Sequence, residues 1–271
     1  MESMLFLPGE HNDIVYDVGT WYLIVGILAL IAAPFSFISM FPMTAAPIRT
    51  ETISYVIGTL VMGALIGVIA SIVEIIALLK TRRLQEVSGE ELFSTGPILI
   101  LIGIVLNVIG TIIIFFAIFT SAAIGPEALF STVVSMAFFS IIAGLLAFIG
   151  RILLAIAFWR FGDLNRSDLI QVGALIWIFL AFIGYLLLGY AMRSMANNGR
   201  SFLVNETLIE TIKKRLKEEF PDGASIDVRD LAKQYNVPPY LLLAMVNHWI
   251  VTGELEGTLM KYTYIVRRSS A

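Results

Sequence analysis

The sequence predicts an all-α integral membrane bundle of about five transmembrane helices, followed by a small α+β domain. Three observations carry this. Of 271 residues, 58% are apolar and 14% charged, against roughly 45–50% and 25% in an ordinary soluble domain. Almost all of the apolar excess lies before Met192, in long runs with few charges. Beyond that point the composition is that of a soluble protein.

In chain order, residues 1–20 form an acidic N-terminal segment holding Glu2, Glu10, Asp13 and Asp17 without Lys or Arg. A cleaved signal peptide begins with positive charge, so the first span is expected to remain in the mature protein. Spans are expected over 21–41, 53–79, 97–120, 128–158 and 169–192. Each reaches the length that crosses about 30 Å of hydrocarbon at 1.5 Å per residue. The fourth is too long for one straight crossing, so it tilts, kinks or runs partly along the interface.

Two polar knots interrupt the apolar sequence. One is "ALLKTRRLQEVSGEELFSTGPIL" from Ala77, the other "AFWRFGDLNRSDLIQVGALIW" from Ala157. Aligned with a three-residue gap, they match Lys80 with Arg160, Leu84 with Leu164, Glu91 with Asp168, and Gly96 with Gly173. Each is a span, a basic-then-acidic loop and another span. A duplicated helical hairpin accounts for this, as internal symmetry does in many membrane folds; chance likeness of two polar loops is the alternative. With two spans between them the loops face one side, and the tail, one span later, is expected on the other. Lys80, Arg82, Arg83, Arg160 and Arg166 would draw the loops to the cytoplasm, whereas Arg49, Arg193, Arg200 and the basic residues of the tail would draw the tail there. The acidic N-terminus favours a cytoplasmic tail in a multi-pass cell-membrane protein.

Two ionisable residues fall inside spans. Glu74 lies six residues before Lys80 and Arg151 nine before Arg160, which sets them roughly 9 and 13 Å below the same membrane face. An isolated charge at that depth costs about 3 kcal/mol or more, so the two are expected to pair, either as part of an ion or proton path or as a packing ion pair. Asn107 is expected to make an interhelical hydrogen bond, and Gly63 and Gly67 of "GALIG" to allow close helix packing, within the chain or in a homo-oligomer.

Catalytic signatures are missing. There is no cysteine, no His-Glu-x-x-His, no Gly-x-Ser-x-Gly and no phosphate-binding loop. His11 and His248 are the two histidines and do not form a metal-ligand spacing. No enzyme activity, metal or cofactor is expected.

Residues 193–205, around "RSMANNGRSF", read as a linker, and 206–268 as the soluble domain. Leu208, Ile212 and Leu216 have helical spacing, ending at Pro221 and Gly223. A short extended "SI" precedes a helix capped by Asp227, proline opens a third helix that Gly253 ends, and Leu259, Tyr262, Tyr264 and Val266 alternate as a strand pair. This order, with "DLAKQYNVPPYLLLAMVNHWIVTGELEG", resembles the winged-helix family over about a quarter of the chain.

That resemblance implies DNA or protein binding. From Glu206 onward nine basic residues balance nine acidic ones, where a DNA-binding face shows a basic excess. The helix that would enter a groove has no Lys or Arg from Val237 to Thr252; Tyr240, Asn247 and His248 could reach base edges. Its many apolar residues, Trp249 among them, favour a protein partner, with Tyr240, Asn247, His248 and Trp249 as the contact candidates; a purely structural module is the third option. Asn205-Glu-Thr is a helix cap, or a glycosylation acceptor if the tail is outside. The membrane region resembles the uncharacterised multi-span proteins common in archaea, which implies no activity. The expected function is a membrane-anchored interaction or regulatory protein in the lipid bilayer, with a transporter or channel component and a membrane-bound transcription regulator as alternatives.

Overall fold

The computed structural model describes residues 8–40, 66, 68–124 and 126–267. Gly63, Gly67 and Arg49 lie outside them. The elements are α1 (Pro8–Met40), α2 (68–81), α3 (Leu84–Ser88), α4 (Leu92–Ile124), α5 (Pro126–Asn165), α6 (Asp168–Phe179), α7 (Ala181–Leu203), α8 (Glu206–Glu218), β1 (Ser225–Asp227), α9 (Val228–Gln234), α10 (Pro239–Val251), β2 (Gly257–Met260) and β3 (Thr263–Val266).

Among the described residues three helices are long and apolar enough to cross a membrane: Pro8–Ala32, Leu92–Gly110 and Ser140–Asn165. Their outward faces are apolar too. Val105 is 53% exposed, Ile141 60% and, on α2, Ile72 54%, a surface that suits lipid and would be unfavourable in water. The chain is a membrane-associated, mostly helical protein.

Without a hydrophobic drive between helices in lipid, close backbone approach has to supply the packing energy. The antiparallel pair α4 and α5 meets at Gly96 and Gly150, where a Cβ on either would stand within 3.0 Å of the other's carbonyl oxygen. Helices α1 and α7 run antiparallel along their whole shared length. Gly26 lies against Leu186, Gly19 against Gly189, and Asp13 against Arg200.

Three expectations are corrected here. First, the span over 169–192 is not one helix. It breaks at Leu180, whose φ of −128° and ψ of 71° are not helical, and α7 folds back on α6 with Gly184 against Trp177 and Gly173 against Leu188. At 12 residues, α6 is about 18 Å long, short of the bilayer's hydrocarbon. The break is not left unsatisfied: Leu180 N–H donates to Ile176 O at 2.7 Å, and Gly184 N–H to Leu180 O at 3.0 Å. Second, the tail does not lie opposite the loops, because the hairpin returns the chain to them. Third, residues 193–203 are no linker. They continue α7 as helix, with Ala196 and Phe202 buried and Gly199 and Arg200 against Asn12 and Asp13 in the first turns of α1, which are themselves helical rather than a separate acidic segment.

The matched knot positions Ala77 and Ala157, and Leu84 and Leu164, are all buried. The helices that leave the two knots differ, since α4 runs 33 residues and α6 only 12. In the C-terminal domain β1 and β2 flank β3 in an antiparallel sheet of order β1-β3-β2. Asn205 caps α8 by accepting from Leu208 N–H, and Asp227 caps α9 by accepting from Arg229 N–H. Tyr262 falls in the β2–β3 turn, not in a strand. The turn is two residues, with Lys261 at φ 57°, so the projection it makes is short.

Candidate functional site

Two polar centres stand out, one inside the bundle and one where the C-terminal domain meets it. In the first, α2 supplies Glu74, α5 Arg151 and α7 Tyr185. Arg151 Nη2 lies 3.9 Å from Glu74 Oε1, and the Tyr185 hydroxyl donates to the same oxygen at 2.7 Å. Among the described residues Arg151 Nε is buried without a hydrogen-bond partner. About two helical turns toward the polar end, Thr81 Oγ1 is 3.2 Å from the Tyr22 hydroxyl, and Lys80 pairs with Asp17 at 2.8 Å. The carboxylate therefore has one close neutral donor and one distant cation, and the cation is the less satisfied member.

This asymmetry makes a prediction. Arg151→Met removes the cation and leaves Glu74 charged in the bundle, at a cost of about 3 kcal/mol. Adding Glu74→Gln removes the stranded charge while keeping an acceptor for Tyr185. The double variant is expected to melt higher than Arg151→Met alone, a non-additivity of about 1–3 kcal/mol. Strictly additive melting shifts in detergent would mean the two charges do not interact.

The second centre lies at the polar end, where α1, both loops and the C-terminal domain converge. Tyr240 and Trp249 of α10 are 1% and 5% exposed; α10 packs on α1, α3 and α5 of the bundle as well as on α9 and β2 of its own domain, and Tyr240 is on the bundle side. The Tyr240 hydroxyl donates to Asn12 Oδ1 at 2.6 Å, and its backbone N–H donates to Asn165 Oδ1 at 3.1 Å. Asn165 Nδ2 in turn donates to Phe161 O at 2.9 Å, which rigidly orients the amide. Burial pushes the Tyr240 phenol well above its ordinary pKa, and Asp13 adds to this, so it remains a neutral donor.

Around this core run crossed ion pairs. Arg166 at the end of α5 pairs with Asp230 of α9, and Arg229 reaches Asp163 of α5 at 3.8 Å while bonding Asp227 at 2.8 Å. The Arg229 guanidinium holds the Asp227 carboxyl below its ordinary pKa. These pairs are partly to largely exposed, and each contributes little by itself.

The sequence-predicted partner contacts divide accordingly. Tyr240 and Trp249 are turned into the chain itself, which corrects their reading as free contacts. Asn247 is exposed and His248 half-buried, with His248 Nδ1 lacking a partner. Asn107 sits on an exposed face of α4. Sequence reading passed over Asn12, Asn165, Tyr22 and Tyr185. The one available signal was a polar residue amid helical apolar periodicity, and Asn12 shows it.

A chain of ring contacts joins the two centres, edge-to-face except for the tilted last pair, Phe161 and Tyr240. Trp177 meets Tyr185 at 5.4 Å between centroids, Tyr185 meets Tyr22 at 5.0 Å, and Tyr22 meets Phe158 at 5.4 Å. Phe158 meets Phe93 at 5.1 Å, Phe93 meets Phe161 at 6.0 Å, and Phe161 meets Tyr240 at 6.2 Å. Such pairs add about 0.5–1.5 kcal/mol each beyond area burial.

Fold and site together define a membrane-associated helical protein whose small C-terminal domain is docked on the polar end of its own bundle. Residues 17–221 match the family described as "Protein of unknown function (DUF973)", and the chain belongs to it. No curated protein and no solved structure matches the chain. The family match ends at Pro221, within the C-terminal domain and before its sheet.

Proposed function

We propose that the chain is a multi-pass cell-membrane protein that holds a winged-helix domain at the cytoplasmic surface as a membrane-anchored interaction or regulatory module. The observation that carries this reading is the docking of α10. The element order α8-β1-α9-α10-β2-β3, with β3 between β1 and β2, supports the winged-helix assignment. The helix that such domains commonly use for recognition is engaged by the bundle. Exposed Asn247, Val251 at 55% and Met260 at 62% remain for a partner.

In this reading α1, α4, α5 and the apolar segment 53–79 that leads into α2 cross the bilayer, and α6 with α7 enters and leaves from one face. Both ends of the chain then share a side. Lys80, Arg82, Arg83, Arg160, Arg166, Arg193 and Arg200 all gather there, and their sum favours the cytoplasm. The conflict between loop and tail charges disappears because they are on the same face.

Orientation is tested by Asn247→Cys, which in a cysteine-free chain gives a single label site. A membrane-impermeant maleimide is expected to react in inside-out vesicles and not in right-side-out ones. The opposite pattern rejects the cytoplasmic assignment. Photo-crosslinkers at Val251 and Met260 in cells are expected to yield a discrete protein adduct; no adduct at either position rejects the interaction reading.

A second reading, a transporter or channel component, is favoured by the bond between Tyr185 and Glu74 and the under-satisfied Arg151. Unchanged ion flux in vesicles for both Glu74→Gln and Arg151→Met removes it. The third, DNA binding, requires α10 to leave the bundle; it predicts strongly salt-dependent binding by the full chain.

A further inference from the structure

Where the C-terminal domain meets the hairpin, the packing leaves a recess. It has a volume of about 260 Å³ and lies between α7, the α5–α6 turn and the α9–α10 turn, with Tyr190, Ser194, Asn198 and Asn236 in its wall. A second recess of about 280 Å³ shares Asn165 and Asn236 with it and adds Arg166 and Lys233. Tyr190, Ser194 and Asn198 are spaced i, i+4 and i+8, which stacks them on one face of α7. Among the described residues Lys233 has no ion-pair partner, whereas Arg166 is held by Asp230.

Directly along the hairpin from this recess runs an exposed apolar ladder on α6. Leu169 is 36% exposed, Val172 47%, Leu175 49% and Phe179, at the tip, 83%. Their spacing places them within one side of the helix. Tyr190, 62% exposed, stands at the boundary between ladder and polar wall, the level at which tyrosine is enriched in membrane proteins. Hydroxyl-binding amides, a cationic flank and a contiguous apolar track match the three parts of one kind of molecule.

We propose that the paired recesses bind the headgroup of an anionic, hydroxyl-bearing membrane phospholipid. The lipid phosphate lies beside Lys233 and Arg166, the headgroup hydroxyls meet Ser194, Asn198 and Asn236, and an acyl chain follows Leu169, Val172, Leu175 and Phe179. Because one wall belongs to the bundle and the other to the C-terminal domain, bound lipid strengthens the docking of that domain. The proposal rests on the hairpin lying in the bilayer, but not on which side of the membrane the domain faces, so it can fail while the orientation stands.

The test is lipid binding to the full-length protein in neutral detergent by native mass spectrometry. The probes are phosphatidylglycerol, phosphatidylcholine and soluble glycerol 3-phosphate. A basic residue near a membrane surface changes affinity about fivefold. Phosphatidylglycerol is therefore expected to bind about fivefold or more tighter than phosphatidylcholine, and Lys233→Glu, a change of two charges, to weaken it about 25-fold. Lys214→Glu on the exposed side of α8 serves as the charge control and is expected to change nothing. Asn198→Leu, which fills the recess without altering charge, is expected to lose binding as well. Equal binding of the two lipids, equal effects of Lys233→Glu and Lys214→Glu, or unchanged binding by Asn198→Leu each overturns the site. Displacement of phosphatidylglycerol by an equal concentration of glycerol 3-phosphate overturns the lipid assignment in favour of a soluble phosphate ester.

Discussion

Gly184→Leu is expected to prise the α6–α7 hairpin apart and lower the melting temperature in detergent by about 4–9 °C. At this position a Cβ would overlap the backbone of Trp177, and backbone cannot rotate aside as a side chain does. Overpacking of this kind costs about 3 kcal/mol, and a chain of this size loses about 2–4 °C per kcal/mol. Leucine is the better helix former, by about 0.8 kcal/mol, which offsets only part of the loss. The matched control is Gly144→Leu, where an added Cβ meets nothing within 4 Å. Equal melting of the two variants would sink the hairpin, because only a closely packed α6 and α7 distinguish the two glycines.

Asn165→Leu is expected to release the C-terminal domain from the bundle. The asparagine amide accepts from the buried N–H of Tyr240 and donates to Phe161 O; Phe161 O keeps its place in the helix ladder, so leucine strands the Tyr240 N–H. A buried polar group without a partner costs about 1–3 kcal/mol, equivalent to about a 5- to 150-fold rise in the undocked population. Limited proteolysis near Val204, 83% exposed at the α7–α8 junction, reads that population directly. Tyr240→Phe, which loses only the bond to Asn12, should raise cleavage less. Cleavage of Asn165→Leu at the wild-type rate would mean that the hydrogen bond does not hold the domain in place.

The two predictions fall on features that the sequence exposes to different degrees. Caps and breakers are local chemistry and were legible: Asn205 and Asp227 cap helices, and Gly253 stands at φ 76° just beyond α10. So was the approach of Glu74 to Arg151, 3.9 Å apart, since rise per residue counted from Lys80 and Arg160 brings the two within roughly 4 Å in height without any tertiary information. The hairpin was not legible. Leu169 to Met192 is uniformly apolar, and no Pro, Asn or Asp marks Leu180; the turn there is stabilised by Gly184 and Gly173 meeting the opposite helix, a contact that composition cannot report. The segment around Asn197 looked like a linker because it is polar, yet one face of it, Ala196, Gly199 and Phe202, is buried on α1.

The same difference decides the candidate site. An excess of apolar residues on α10, more than its own small domain can bury, was visible and implied a further contact surface. Which surface it meets was not, since Asn12 and Asn165 lie 228 and 75 residues away from Tyr240. By itself the sequence determined the apolar helical region, the small α+β domain at its end, and the two buried-segment charges that must seek each other. Only the tertiary structure decided that the chain turns back at Leu180, that α10 packs on the bundle, and that both polar loops and both ends of the described chain share one face. The physical reason is range: capping, hydropathy and helix rise act over a few residues, whereas glycine seams and buried amide bonds exist only once distant segments meet.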